Sequence, residues 1–491
     1  MANRQLATAG VFWNIVQTLG ERFFQTLVFF VVARLLDPTA FGLAAMAVAP
    51  AAVFTAVMQG ASQVIVQDRE ASPAFIAAAF WFNIAAGVAL GVFVLVTSGP
   101  ISLLVHAPAV APLMMATASV PLLAGLGAVS QGVMTRHFEF RMLAIRRTIG
   151  ISVAGLACVV LAWMGYGAWS LVIQAILTPA VMSAVALLAG PVRVIEPFTG
   201  NEVRRVVRQS GMLYGSSFLT QGNTRLSDLI VGYFVGPAGA GAFRLARTVI
   251  DLITSVTFTP LANVLLPIFA KANEEPERAL RMYVKIVVSC SLIFAGVEVC
   301  TIFGAEAFRA VFLGKSWPGL GWVLIFLAPV FPTMAISPSQ PLLIARGRAG
   351  MVLWANFVRL VTSSACLAVG SKLAGVNGAA IGYTVCTYLA LGSMLIFMRR
   401  EIPSLKPLLT VRVLLPQVLA LAIGLGGYVW ALSLGLRPAN ILQAGGALMV
   451  ALPLFGGLCL VLCRRDLDVA IDVVPVPGKL KDKARKLLRL A

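Results

Sequence analysis

Nine charged residues stand in apolar stretches that tolerate charge poorly. Glu21 and Arg22 fall in the middle of Gly10 to Leu36, GVFWNIVQTLGERFFQTLVFFVVARLL. Arg225 and Asp228 fall inside Gly211 to Gly236, GMLYGSSFLTQGNTRLSDLIVGYFVG. Arg244, Arg247 and Asp251 follow in the next apolar run, and Glu298 and Arg359 stand in later ones. A charge at membrane depth is costly, so each such residue must face a partner or a watery cavity and is a functional candidate by default. Arginine carries a planar fork of donors that grips phosphate oxygens in pairs. Arg22, Arg225, Arg244, Arg247 and Arg359 therefore read as the lining of a water-filled cavity for a phosphate-bearing substrate. Glu21, Asp228, Asp251 and Glu298 would balance the charge of that cavity or bind a coupling proton or sodium ion. The competing reading is that the charges neutralise one another as clamps between helices. Arg225 and Asp228 are spaced i, i+3 and can pair on one helix face, and Arg244, Arg247 and Asp251 form a stripe spaced by three and four.

No enzyme signature accompanies these charges. The chain has no GxSxG, HExxH, phosphate-binding lysine loop or GxGxxG after a soluble strand. Its two histidines, His106 and His137, fall in loops. No hydrophilic loop has room for a soluble catalytic domain, so the chain reads as a non-enzyme without cofactor or metal, not driven directly by ATP. The seven cysteines all lie in apolar segments without a CxxC and read as small buried hydrophobes.

The elements that must position these charges are membrane helices. The 491 residues are 59% hydrophobic and 12% charged, with mean hydropathy +0.92, against roughly 25% charged in soluble proteins. Fourteen spans are expected, at 10–36, 40–66, 74–99, 109–133, 143–165, 167–190, 211–236, 240–269, 283–304, 318–345, 350–371, 377–398, 412–434 and 441–463. Helices are the spanning structure that satisfies every backbone polar group within such segments. The first run lacks the cleavage pattern of a signal peptide and reads as the first span. The net charge of +19 does not point to nucleic acid, because 28 of the 38 basic residues fall in tails and loops on one side. That bias places both termini in the cytoplasm. The tenth span contains APVFPTMAISPSQP and should be bent or broken by its prolines.

An internal repeat accompanies the spans. Leu36-Asp-Pro-Thr-Ala-Phe-Gly42 joins the first two, and Val235-Gly-Pro-Ala-Gly-Ala-Gly241 joins the seventh and eighth, with Pro-x-x-x-Gly in register. Two blocks of six spans share one orientation, which implies a pseudo-two-fold along the membrane normal. The expected organisation is an N-lobe at 1–190, a cytoplasmic linker at 191–210, a C-lobe at 211–400, two further helices at 401–463 and a basic tail at 464–491. The linker's end, NEVRRVVRQ, should lie along the headgroups, and 479–490 should form a surface-lying amphipathic stretch.

With those residues in view, the chain resembles polysaccharide exporters of the multidrug/oligosaccharidyl-lipid/polysaccharide flippase superfamily. The opening FWN and ER, then ARLLDPTAFGLAAMA, resemble their first helix pair. RHFEFRMLAIRRTIGISVAGLACVVLAWMGYGAWSLVIQAI is similar to the stretch that marks the Wzx-type, WzxC-like branch serving exopolysaccharide, and VGYFVGPAGAGAFRLA to the seventh-to-eighth connection. The resemblance implies two six-helix lobes, alternating access and movement of an undecaprenyl-pyrophosphate-linked oligosaccharide across the bacterial inner membrane, with cation coupling. It also implies that cavity arginines hold the pyrophosphate, which Arg22 and Arg225 match by location. Implied partners are the lipid-linked oligosaccharide, membrane lipids and a polysaccharide polymerase or export machinery. Two rivals remain: a multidrug or cation antiporter, which would favour an acid-dominated cavity, and a membrane polysaccharide polymerase, which would show a large outer loop.

Overall fold

A computed structural model describes residues 20, 24–68, 71–189, 196–257, 265, 269, 276–314, 316–401, 408–434 and 441–462. Glu21, Arg22, Cys463 and the basic stretch 479–490 lie outside the described residues. Every regular element among them is helical: the protein is an all-α polytopic membrane protein. Its helices are α1 (Phe24–Leu35), α2 (Pro38–Gln67), α3 (Pro73–Leu104), α4 (Val110–Thr117), α5 (Val120–Arg136), α6 (Phe140–Trp163), α7 (Ala168–Ala189), α8 (Gly200–Val235) and α9 (Pro237–Thr257). They continue with α10 (Pro276–Phe308), α11 (Leu320–Leu327), α12 (Ser339–Ala345), α13 (Ala349–Glu401), α14 (Leu408–Ser433) and α15 (Ile441–Leu462). Nine helical stretches among the described residues are long and apolar enough to cross a membrane, and α1 and Gln443–Cys459 are shorter apolar helices.

Local chemistry sets where these helices start. Asp37 accepts from the Ala40 amide at 3.2 Å and Pro38 occupies the first helical position of α2. Ser72 and Pro73 start α3 the same way, with the Phe75 amide 3.2 Å from the serine hydroxyl. Such caps satisfy amide donors that the first turn leaves unpaired, and proline has no donor to lose there. Thr199 and Glu202 form a reciprocal capping box at the head of α8. These bonds from Thr199 hold the exposed Glu202 carboxyl below the usual carboxylate range.

The chain divides into two compact units, Met1–Arg244 and Leu245–Ala491. In the first, α2 is central and packs on α5 and α8. One core gathers Met46, Val110, Met114 and Val172, and a second gathers Ile65, Phe75, Val129 and Val206. The expected interfacial stretch 201–209 instead forms the first turns of α8, a continuous 36-residue helix. Its polar side chains have partners there. Arg205 donates to the Asp68 carboxylate at 2.9 Å and Gln209 to its other oxygen at 3.0 Å. The Arg205 guanidinium also lies 5.2 Å from the Phe75 ring centre. Arg136, at the end of α5, donates to the Asp68 carbonyl at 2.6 Å and so closes the C-terminus of α2.

The repeated Pro-x-x-x-Gly has a packing reason. A β-carbon on Gly42 would collide with the Pro237 carbonyl, and one on Gly241 with the Pro38 carbonyl. The two motifs meet reciprocally, each glycine under the other's proline. Small residues are what let membrane helix backbones approach this closely.

In the second unit, the proline-rich tenth span is broken as its sequence requires. α11 passes into a 3-10 segment, Ala328–Ile336, before α12. Its unusual carbonyls are answered from neighbouring helices: Gln417 of α14 donates to the Pro332 carbonyl at 3.1 Å, and Thr384 of α13 donates to the Phe326 carbonyl at 2.7 Å. Polar side chains of this kind make a broken membrane helix tolerable. The two spans expected at 350–371 and 377–398 are arms of a hairpin within α13. It reverses at Ala374 and Gly375, the latter at φ 59°.

The reciprocal crossing makes a direct prediction. Gly42→Ala and Gly241→Ala should each lower the thermal midpoint of purified protein, because overpacking a rigid backbone contact costs about 1–3 kcal/mol. Gly304→Ala, whose added carbon meets nothing within 4 Å, should leave the midpoint near wild type. Equal midpoints for all three would contradict the crossing.

Candidate functional site

The described charges form one group in each unit. In the first unit, α8 carries Arg225 and Asp228 on the face that their i, i+3 spacing dictates. Asp228 is wholly buried. Its carboxylate lies 3.5 Å from the guanidinium of Arg244, which reaches across from α9. The structure thus shows Asp228 paired with a cation from the following helix. Gly236, at φ 86°, allows the tight reversal that brings α9 back toward α8. Arg225 is half-buried, and its stem forms part of the wall of an apolar cavity.

In the second unit, Arg247 of α9 is buried, at 5% exposure. Its guanidinium carbon stands 4.6 Å from the centre of the Tyr383 ring, a cation–π arrangement on the second arm of α13. Arg359 lies on the first arm of α13. It lines a mixed cavity of about 80 Å³ whose polar side is Thr333, Ser337, Gln340, Asn356 and Thr387 and whose apolar side includes Met334, Leu391 and Met394. Cys386 lies within electrostatic reach of both Arg247 and Arg359, so the second arm of the hairpin stands between these cations. The broken segment 328–336 supplies Thr333, Met334 and Ile336 to that cavity.

Glu298 of α10 is wholly buried, and neither carboxylate oxygen has a hydrogen-bond partner among the described residues. Tyr388 on α13 lies within electrostatic reach of it. A lone buried carboxylate is costly unless it is protonated or finds a cation. Asp251 differs from the rest of its stripe: it is exposed, whereas Arg247 one turn earlier is buried. Glu21 and Arg22 lie outside the described residues.

Several polar residues around these groups escape sequence reasoning. Tyr383 carries no signal of its own, because its role depends on the hairpin returning beside α9. The Asp68, Arg205 and Gln209 cluster was partly legible, since Arg205 and Gln209 follow a Thr-x-x-Glu capping box at i, i+4 spacing on one face. The identity of their acidic partner was not.

The chain has clear relatives. Residues 31–320 match the family model described as polysaccharide biosynthesis protein. The succinoglycan biosynthesis transport protein ExoT of Rhizobium meliloti (strain 1021) is 24% identical over 382 residues, covering 75% of each chain. The lipopolysaccharide biosynthesis protein WzxC of Escherichia coli (strain K12) is 24% identical over 392 residues, 78% of this chain and 79% of its own. Among solved structures, the lipid II flippase MurJ in an inward closed conformation matches with TM-score 0.72 at 13% identity, over 93% of this chain and 99% of that one. An inward-facing multidrug resistance MATE family transporter of the MOP superfamily matches with TM-score 0.65 at 14% identity, over 78% and 95%. The fold is therefore that of MurJ and the MATE transporters.

The Asp228–Arg244 pair makes a prediction that separates clamp from substrate site. Arg244→Ala removes a cation from beside a buried carboxylate and should destabilise by about 3–5 kcal/mol, seen as lost membrane protein. The double variant Asp228→Ala, Arg244→Ala should restore protein level. If transport returns with it, the pair is a clamp; stable protein without transport assigns one of the two charges to substrate.

Proposed function

We infer that this chain, which belongs to the polysaccharide biosynthesis protein family, is a flippase for a lipid-linked oligosaccharide. Its substrate is an undecaprenyl-pyrophosphate-linked oligosaccharide destined for exopolysaccharide or lipopolysaccharide. The chain moves this molecule across the bacterial inner membrane by alternating access rather than by catalysis. The observation that carries the reading is the set of arginines Arg225, Arg244, Arg247 and Arg359 on α8, α9 and α13, in a chain whose relatives are named for succinoglycan and lipopolysaccharide biosynthesis. A pyrophosphate is doubly anionic, and desolvated guanidinium groups match its oxygens in pairs.

In this reading Arg225 contacts the pyrophosphate, together with Arg22. Arg359 and its ring of hydroxyls and amides offer further donors to the anionic or sugar part. Glu298 is the coupling residue, taking up a proton or sodium ion, and Asp228 balances the charge of Arg244. The lobes are those of the repeat, at 1–190 and 211–400. Both termini face the cytoplasm, as the bias of basic loops requires, and the product passes to polymerase or export machinery.

The test uses cells in which the chromosomal copy is deleted and variants are supplied in trans. Arg225→Ala should cause lipid-linked sugar to accumulate at normal protein level, and Arg225→Lys should restore only part of the flux, because lysine lacks the planar fork. Full export with Arg225→Ala would remove this residue from the substrate path. Glu298→Gln should make transport insensitive to the coupling-ion gradient, whereas retained dependence on that gradient would place coupling elsewhere.

A further inference from the structure

We propose that a groove between α2, α3 and α8 takes the first isoprene units of the substrate's lipid chain while Arg225 holds its pyrophosphate. This rests on the function proposed above and adds a site for the tail. The groove is a cavity of about 420 Å³ whose wall is wholly apolar, lined by residues that include Pro50, Phe54, Phe93, Gly222, Arg225 and Leu226. A cavity of about 150 Å³ accommodates benzene, so this one has room for two to three five-carbon units. The rings of Phe54 and Phe93 meet edge to face, 5.8 Å apart, on α2 and α3.

Two observations say what fills it. Arg225 belongs to the lining although the lining has no polar surface, so it presents its methylene stem there. Since none of the lining surface is polar, the guanidinium contributes nothing to that wall and must stand outside it. An apolar chain in the groove thus ends beside a cation, and in a prenyl pyrophosphate the anion is joined directly to the first isoprene unit. The second observation is Gly222, one turn before Arg225. It is buried, yet a β-carbon added there would meet nothing within 4 Å. At this level α8 leaves a space that none of its own side chains occupies.

The test is binding to full-length protein in nanodiscs of phosphatidylethanolamine and phosphatidylglycerol, with three probes: farnesyl pyrophosphate, farnesol and inorganic pyrophosphate. Wild-type protein should bind farnesyl pyrophosphate at least about tenfold more tightly than inorganic pyrophosphate, since burying two methylene-sized groups already suffices for that ratio. Gly222→Leu fills the groove from its floor and should erase the farnesyl advantage with inorganic pyrophosphate affinity unchanged. Gly222→Ala should erase part of it. Gly215→Leu, on the same helix and also facing open space, should erase none. A farnesyl advantage that survives Gly222→Leu overturns the proposal and leaves the groove to the acyl chains of the bilayer. Farnesol binding that Gly222→Leu abolishes, in a protein that ignores inorganic pyrophosphate, supports the groove and counts against Arg225 as the pyrophosphate site.

Discussion

Two proline carbonyls occupy the places where two β-carbons would otherwise stand. Pro237 sits against Gly42 and Pro38 against Gly241, and this double approach brings the start of α2 against the start of α9. α9 begins at that contact, and two turns later its Arg244 comes within 3.5 Å of Asp228 on α8. Membrane helices gain little from hydrophobic exclusion against one another, because lipid is as apolar as leucine. Close backbone packing and polar contacts must hold them, and here both occur within two turns of one helix.

Buried charge organises the second unit in a different way. The prolines of 328–336 free backbone carbonyls that a span cannot leave unpaired, and Gln417 and Thr384 answer two neighbouring ones. The break then exposes a polar rim to the α13 hairpin, where Arg359 and Thr387 approach it. Arg247 reaches the same hairpin through Tyr383. Glu298 stands apart without a hydrogen-bond partner among the described residues.

Much of this was legible in the chain, and what was not has definite causes. The Pro-x-x-x-Gly motif was legible as a repeat, but that its two copies pack on each other was not, because spacing along the chain says nothing of which turns meet. The proline cluster signalled a break, although not that the break would be 3-10. The charges at membrane depth were visible as candidates, but their partners were not. Asp228 has an arginine three residues before it on its own helix, and spacing pointed to Arg225; that Arg244 of the next helix also comes within 3.5 Å of it was not legible. The length of α8 was missed because 201–209 is too polar to read as part of a span; Asp68, far away in sequence, is what accommodates it. The apolar groove was invisible, since ordinary leucines, phenylalanines and one glycine on three helices give no pattern until the helices are assembled.

A flippase carries its lipid-linked oligosaccharide from one leaflet to the other, and that movement can be observed directly. The most direct measurement places purified protein in liposomes loaded with undecaprenyl-pyrophosphate oligosaccharide and follows exposure of the sugar to a membrane-impermeant glycosidase. The lipid is first made inaccessible by digesting the outer-leaflet pool. A second pool should become digestible at a rate that rises with protein and disappears in protein-free vesicles. A protected pool that stays protected, in liposomes where the protein is folded and an ion gradient is imposed in either direction, would contradict it.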